Sequence, residues 1–188
     1  MSTKQQKMDY IASLINQCQK CSLSKTAKKA VPGAGNSESS VMIIAEAPGF
    51  YEDQSGIPFV GNCGKLVDQL LSSVNLTRDQ VFISNILKHH PPQNRDPSSL
   101  EIKACAPFLK AQIKIIEPKI IMTLGRFALN YFFPNGKITQ IHGQPQLIKW
   151  QEIELTVFPV YHPSAGLRDN QMLQALQGDF LKVKNFLN

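Results

Sequence analysis

The sequence lacks any long apolar run and has few cysteines, and both absences exclude whole classes of protein. No stretch approaches the roughly 20 apolar residues that a membrane-spanning helix needs. The residues from Met1 to Lys7 are polar, and no apolar signal core follows them, so we expect a cytoplasmic protein without a membrane partner. The four cysteines are therefore not expected to form a disulfide framework.

The chain also lacks a dense basic tail, although its net charge is +6 and its pI is about 9.2. Its 20 Lys and Arg are spread along the sequence, so a surface that binds a polyanion must be assembled by folding. This charge permits a nucleic-acid partner without requiring one. Because 188 residues suit one well-buried domain, we expect a single domain over residues 1–188.

Four short apolar runs are typical of buried strands and carry the expected core. They are Val41 to Ala45, Val81 to Ser84, Lys119 to Leu124 and Thr156 to Tyr161. Helical patterns alternate with them, at Met8 to Cys18, Cys63 to Val74, Ser98 to Ile116, Gly125 to Phe133 and Asn170 to Leu187. Trp150 and Ile153 to Leu155 predict a small hairpin. The alternation predicts an α/β fold with parallel strands and right-handed crossovers.

Polar side chains follow each of the four predicted strands. Glu46 follows the first strand, Asn85 the second, Arg126 the third and His162 the fourth. Ligands of open α/β sheets bind at the carboxyl ends of the strands, so these groups are expected to meet at one edge. Each of them alone has an ordinary structural explanation. Together, a carboxylate, an amide and an imidazole at adjacent strand ends predict a catalytic site.

Three ordered motifs resemble those of the family-four uracil-DNA glycosylases, the iron-sulfur members of the uracil-DNA glycosylase superfamily. The first joins Ala45-Glu46-Ala47-Pro48-Gly49 to Pro58-Phe59-Val60-Gly61, the second runs from Asn85 to Arg95, and the last is His162-Pro163-Ser164. The resemblance covers nearly the whole chain. It implies a three-layer αβα sandwich with a central four-stranded parallel sheet. It also implies a monomeric DNA-repair enzyme that hydrolyses the N-glycosidic bond of uracil in DNA, at the nucleoid.

The resemblance assigns the residues that bind the base once it has been flipped out of the duplex. Phe59 would stack under uracil, and Ala47 belongs to the same substrate-binding set. The Asn85 amide would pair with N3–H and O4 of uracil and mismatch cytosine, whose donor and acceptor are exchanged. Glu52 would stand beside C5 and exclude the methyl group of thymine, with a solvated loop acid as the alternative.

Glu46 and His162 are the catalytic residues that the resemblance implies. His162 would donate a hydrogen bond to uracil O2 as charge develops there, an effect worth roughly 3 to 4 kcal/mol. Glu46 would place or activate the hydrolytic water and steady the cationic sugar. The implied DNA-binding residues are Asn94, Arg95, Ser164, Leu167 and Arg168. Leu167 would be a wedge between bases, although a buried loop leucine is the alternative.

Three cysteines and a histidine occupy the positions at which the family binds a 4Fe-4S cluster. Cys18 and Cys21 have the spacing of two thiolates on one metal or cluster, and Cys105 matches the fourth ligand. The third position is His89 where the family has cysteine. Three interpretations stay open: His89 ligates a 4Fe-4S cluster, the set holds zinc, or the cluster is 3Fe-4S or absent. Cys63 is expected to pack as a small hydrophobe.

Two further functions stay open from the sequence. One is a relative that captures the uracil-derived sugar covalently through a histidine, which the short segment from Pro91 to Arg95 disfavours. The other is a DNA-lesion binding module without hydrolytic activity. The presence of Glu46, Phe59, Asn85 and His162 argues against such a module.

Overall fold

A six-stranded sheet covered by helices forms the framework of the computed structural model, which describes residues 2–186. The strands are β1 (Ala34–Gly35), β2 (Val41–Ala45), β3 (Phe82–Asn85), β4 (Ile120–Leu124), β5 (Gln146–Trp150) and β6 (Ile153–Val160). The helices are α1 (Lys4–Asn16), α2 (Phe50–Ser55), α3 (Asn62–Ser73), α4 (Ser99–Ile116), α5 (Gly125–Phe132), α6 (Ile138–Ile141), α7 (Pro163–Gly166) and α8 (Asn170–Val183). None of the helices in residues 2–186 has the length and apolarity that crossing a membrane requires.

The strand order is β1-β3-β2-β4-β6-β5, and the central strands β3, β2, β4 and β6 are parallel. The predicted α/β fold and its four parallel strands are confirmed. The sheet is nevertheless wider than the four strands expected, because β1 and β5 pair antiparallel at its edges. The two-residue strand β1 has no apolar pattern of its own, so nothing in the sequence predicts it.

The predicted hairpin is confirmed, but its arms are longer than expected. Gln146–Trp150 pairs with the start of Ile153–Val160, which then continues as the fourth parallel strand. Gln151 and Glu152 form the turn with φ values of 48° and 70°, and two positive φ values suit the twist of a two-residue hairpin loop.

The parallel strands are apolar on both faces because helices cover both sides of the sheet. Val41 and Ile43 pack in a cluster that includes side chains of α3 and α8. Met42 and Ile44 point the other way, into a cluster with α4 and α5. This arrangement is the expected three-layer sandwich, and it leaves the carboxyl ends of the parallel strands free for a site.

The predicted helices agree with the structure, except at some ends. α1 begins at Lys4, before the predicted Met8, because Thr3 and Gln6 form a capping box. α8 ends at Val183, and the predicted end at Leu187 lies outside the described residues. The short helices α2, α6 and α7 have four to six residues each, which is too short for a helical pattern to be evident in the sequence.

Candidate active site

A cavity of about 660 Å³ lies at the carboxyl ends of the four parallel strands. Ten of the eleven residues predicted to bind substrate, catalyse or contact DNA line it: Glu46, Ala47, Glu52, Phe59, Asn85, Asn94, Arg95, His162, Ser164 and Arg168. The eleventh, Leu167, is 51% exposed, so the alternative of a buried loop leucine is wrong. The convergence expected from the strand ends is therefore present.

Asn85 lies beside Glu46 because β2 and β3 are paired in parallel register, with Ala45 opposite Asn85. The backbone N–H of Leu87 continues this pairing by donating to the carbonyl of Glu46 at 3.0 Å. The Asn85 side chain is almost fully buried, yet its Oδ1 has no hydrogen-bond partner among residues 2–186. A buried acceptor without a partner is destabilising, so this oxygen is poised for a ligand in the cavity.

The buried Lys88, which is not among the predicted site residues, anchors the end of β3 without lining the cavity. Lys88 Nζ donates to the carbonyl of Asn85 at 2.8 Å, to Ser84 Oγ at 2.7 Å and to Gln112 Oε1 at 2.8 Å. Burial lowers the pKa of Lys88 to about 7, and the neighbouring Cys105 opposes that shift. Three good acceptors around one ammonium group hold the Asn85 backbone in a fixed position. A lysine directly after the apolar pair Ile86-Leu87 was the available signal.

Glu46 has an unusual electrostatic environment at the edge of the cavity. Burial and then the charge of Asp96 raise the pKa of Glu46 and the charge of Arg126 lowers it, so that the pKa is about 7. Asp96 and Arg126 themselves form an ion pair. A carboxylate with a pKa near neutrality is suited to accept a proton at physiological pH. Asp96 was not among the predicted site residues, because it meets Arg126 only in the folded chain.

His162 caps the N-terminus of α7, and that contact fixes its protonation. The backbone N–H of Ser164 donates to His162 Nδ1 at 3.2 Å, and Ser164 Oγ lies 2.8 Å from the same nitrogen. A nitrogen that accepts from a backbone N–H carries no proton, so the neutral ring has its proton on Nε2. Burial and the charge of Arg168 lower the pKa of His162 to about 4. His162 is therefore a neutral hydrogen-bond donor at pH 7.

A glycine allows His162 its position. Gly125 begins α5 with a φ of +84°, and a Cβ atom there would lie 2.9 Å from the Cβ of His162. Any other residue would meet both the backbone strain and the contact. The start of α5 is therefore a wall of the cavity against which the imidazole packs.

Phe59 forms another wall, with its ring centroid 6.3 Å from that of His162. Its φ is 56°, and the guanidinium of Arg78 holds this conformation by donating to the carbonyls of Pro58, at 3.1 Å, and of Phe59. Gly64 makes the approach possible, since a Cβ atom there would overlap the Phe59 carbonyl oxygen. Cys63 packs beside the core and lines the cavity, in agreement with its expected role as a small hydrophobe.

Glu52 joins the two halves of the first motif. Its Oε1 accepts from the backbone N–H groups of Val60 at 2.9 Å and Gly61 at 3.2 Å. Glu52 also lines the cavity, so it is more than a solvated loop acid. Its contact with C5 of a bound base stays a prediction.

The second motif is fastened at two points. Arg95 binds Glu101 of α4 through both guanidinium nitrogens, at 2.9 Å and 2.6 Å, and this contact holds the pKa of Glu101 at about 2. His90 Nδ1 donates to the carbonyl of Pro48 at 2.8 Å. Arg95 therefore positions the loop. Its contact with a phosphate stays a prediction.

The predicted metal ligands come from three elements: the segment after α1, helix α4, and the loop that follows Asn85, which we call the Asn85 loop. Cys105 on α4 is buried against Leu87 and Cys21. Burial and the charges of Cys21 and Cys18 raise the pKa of Cys105 to about 11, against the backbone N–H and the charge of Lys88, which lower it. The three thiols are therefore close enough to interact electrostatically. Within residues 2–186, no three His, Cys, Asp or Glu side chains form a group that could hold a metal ion as they stand.

His89 is buried in the same region, and its Nδ1 has no hydrogen-bond partner in the described part of the chain. His89 and Cys18 line one cleft, together with the end of α1 and side chains from the segment 24–33. Burial lowers the pKa of His89, against the opposing charge of Asp53, which favours the neutral form that binds metals. Three thiols and an unpaired imidazole nitrogen fit the donor set of a metal cluster.

Comparisons with known proteins agree with this geometry. The family model of the uracil DNA glycosylase superfamily matches residues 32–185. A type-4 uracil-DNA glycosylase of Saccharolobus solfataricus is 44% identical over 96% of this chain and 87% of its own length. Relatives with the same name are 43% identical in Sulfurisphaera tokodaii, over 94% of this chain and 83% of theirs, and 37% identical in Thermotoga maritima, over 100% and 98%.

Proposed function

The chain belongs to the uracil-DNA glycosylase superfamily, and from this premise we propose that it is a type-4 uracil-DNA glycosylase. Such an enzyme is a DNA-repair hydrolase that cleaves the N-glycosidic bond of uracil in DNA and leaves an abasic site. One observation carries the proposal: Asn85 Oδ1, buried and without a hydrogen-bond partner in residues 2–186, shares a cavity with the imidazole of His162 and the ring of Phe59.

Asn85 selects the base. Uracil must leave the duplex before its sugar bond is accessible, and its ring then stacks on Phe59. Asn85 Oδ1 accepts from N3–H, and Nδ2 donates to O4. Cytosine presents an acceptor and a donor at these two positions, so it would leave the Asn85 oxygen unpaired and face its amide with another donor. Ala47 and Glu52 complete the pocket, with Glu52 beside C5.

His162 stabilises the leaving group. As the bond from N1 to C1′ breaks, negative charge gathers on O2, and Nε2–H of the neutral imidazole donates a hydrogen bond to it. A fixed donor of this kind is worth roughly 3 to 4 kcal/mol of transition-state stabilisation. Because Ser164 holds Nδ1 as an acceptor, the proton is already at the nitrogen that needs it.

Glu46 acts on the sugar side of the reaction. In its carboxylate form it holds the hydrolytic water and accepts the proton that this water loses on attacking C1′. Its negative charge also stabilises the cationic sugar before water adds. A pKa of about 7 makes Glu46 a stronger base than an exposed glutamate while leaving about half of it ionised at neutral pH.

We assign Cys18, Cys21, Cys105 and His89 as the residues that hold a 4Fe-4S cluster. The donor set supports this assignment over an ordinary loop histidine, as does His89 Nδ1, which has no hydrogen-bond partner among residues 2–186. Because uracil hydrolysis transfers no electron, the role of a bound cluster would be structural: it would crosslink separate elements of the fold. These residues would thereby connect three elements: the segment that follows α1, helix α4, and the loop that follows Asn85.

The DNA contacts follow from the residues at the rim of the cavity. Arg168 and Asn94 would contact phosphates, Ser164 would fix the loop that enters the DNA, and the exposed Leu167 would occupy the space left by the flipped base. We further propose that the chain is one domain and acts as a monomer on chromosomal DNA in the cytoplasm.

An alkaline cleavage assay on oligonucleotides with one uracil, single- and double-stranded, tests the proposal. The wild-type chain should nick both after alkali, whereas Asn85→Ala and His162→Ala should lose most of the activity. Glu154→Gln, an exposed change on the hairpin, is the control. Unchanged rates in both site variants would contradict the assigned site. An SDS-stable adduct would indicate covalent capture, and binding without nicking would indicate a lesion-binding module.

A further inference from the structure

Exposed hydrophobic side chains are concentrated beside the cavity. Eleven large hydrophobic side chains are exposed in residues 2–186, and four of them lie within residues 50–60. They are Phe50, Tyr51, Ile57 and Val60, exposed by 59%, 63%, 49% and 39%. We call this set the aromatic lip. Exposed apolar groups gathered in one place indicate a binding surface more often than scattered ones do.

The aromatic lip adjoins the cavity and is held in place. Gly49 and Glu52, on either side of the aromatic pair in the sequence, both line the cavity. The Tyr51 ring lies over Gly61, where a Cβ atom would be 3.1 Å from Tyr51 Cδ2. Phe50 packs edge to face on Tyr51 with ring centroids 5.4 Å apart. Both rings are therefore positioned before any ligand arrives, so little conformational entropy is lost on binding.

The charges around the aromatic lip favour a polyanion. The two acids of α2 are turned toward the protein: Glu52 accepts from Val60 and Gly61, and the buried Asp53 accepts from the backbone N–H of Lys28 at 2.9 Å. Four basic groups lie near the edges of the lip, while the charge of Asp68 on α3 is paired with Arg78. Lys28 reaches Gln54, Lys29 packs near Gly56, Lys65 is exposed on α3, and Arg168 lies close enough to affect the pKa of Cys63.

We infer that the Phe50–Tyr51 pair forms a stacking platform, in which one ring offers its face to an unpaired DNA base next to the uracil that enters the cavity and the other ring braces it at 83°. The inference deepens the proposed function and rests on it. A base inside a duplex is stacked on both faces, whereas an unpaired one offers a face to an aromatic ring. Stacking of this kind is worth roughly tenfold in affinity per base. The platform therefore gives the enzyme tighter binding to single-stranded substrate, with the basic residues along its phosphates.

Binding and excision are measured separately to test this. Anisotropy gives the affinity of the full-length protein for single- and double-stranded oligonucleotides that carry 2′-fluorinated deoxyuridine, which resists hydrolysis, and for uracil-free single strands. A 2-aminopurine on either side of the uracil reports stacking through quenching of its fluorescence. The variants are Phe50→Ala, Tyr51→Ala and the double change, with Tyr51→Phe as a rescue that keeps the ring. Tyr10→Ala is the control, because Tyr10 on α1 is also 63% exposed.

The double change should weaken single-strand affinity and raise KM by roughly 10-fold or more, with kcat within about twofold and a smaller effect on duplex. Quenching of 2-aminopurine should be lost in the double change and kept in Tyr51→Phe. Unchanged single-strand affinity in the double variant would overturn the platform, as expected if the lip were instead an apolar surface for a protein partner. Uracil excision by the wild type would then still support the proposed function. If wild type excised no uracil, the proposed function would fail, and binding to uracil-free strands would still decide the platform.

Discussion

The backbone N–H of Ser164 donates to Nδ1 of His162 at 3.2 Å and thereby fixes the proton of the neutral ring on Nε2. His162→Ala removes this preorganised donor, so the single-turnover rate of uracil excision should fall roughly 10²- to 10³-fold. DNA affinity should change little, since the donor acts on charge that develops only in the transition state. Ser164→Ala keeps the backbone N–H and should cost much less. A His162→Ala rate within tenfold of wild type would exclude His162 as the hydrogen-bond donor that stabilises uracil O2.

The rate of excision should depend on the ionisation of Glu46. Because its pKa is raised to about 7, the carboxylate form that accepts a proton grows as the pH rises from 6 to 8, and kcat should rise with it. His162, with a pKa of about 4, stays neutral over this range and adds no second limb. Glu46→Gln should be slow and nearly independent of pH. A flat wild-type profile between pH 6 and 8 would refute the assignment of Glu46 as the base.

Asp96 and Arg126 should move the pH midpoint in opposite directions. Asp96 raises the pKa of Glu46, so Asp96→Asn should shift the midpoint of the profile to lower pH. Arg126 lowers the same pKa, so Arg126→Gln should shift it to higher pH. Each change also breaks the ion pair, so the position of the midpoint is measured and not the maximal rate. If both changes shifted the midpoint in the same direction, the pH profile would not reflect the ionisation of Glu46 next to Asp96 and Arg126.

Asn85 illustrates why function and stability diverge at the site. Its Oδ1 is buried and has no partner in the described part of the chain, so Asn85→Leu, of similar size, removes an uncompensated polar group and should leave Tm unchanged or higher. Uracil excision should fall by at least roughly 100-fold, because base recognition is lost. Asn130→Ala is the contrasting control, since Asn130 Nδ2 donates to the carbonyls of Gly136 and Phe133 at 2.9 and 3.0 Å. Its loss should lower Tm. A marked fall in Tm for Asn85→Leu would mean that the amide has a structural role.

The residues that line the cavity were easier to predict from the sequence than the residues that hold them in position. Residues at strand ends, such as Asn85 and His162, could be predicted because apolar runs locate the strands and parallel pairing brings their ends together. The partnership of Arg95 with Glu101 was also within reach, since Ser98 and Glu101 form a capping box that places the acid at the start of α4.

The supports that were missed depend on tertiary approach. Asp96 meets Arg126 across 30 residues of sequence, and Lys88 finds Gln112 across 24. Neither pair has a local pattern, because the chain between the partners has to fold first. The exposure of Phe50 and Tyr51 was equally hidden, since aromatic residues in a sequence are more often assigned to a core.

The identity of the third ligand is open to a direct chemical test. Protein purified without oxygen should be brown, with iron and sulfide in about a 1:1 ratio, if Cys18, Cys21, Cys105 and His89 hold a 4Fe-4S cluster. His89→Cys should retain iron and lower the reduction potential, because thiolate replaces imidazole. His89→Ala should lose iron, whereas His142→Ala, whose ring pairs with Asp179, should keep it. A colourless protein with one zinc would establish the alternative site. Full iron retention in His89→Ala would remove His89 from the ligand set, and its buried Nδ1 would then need another partner.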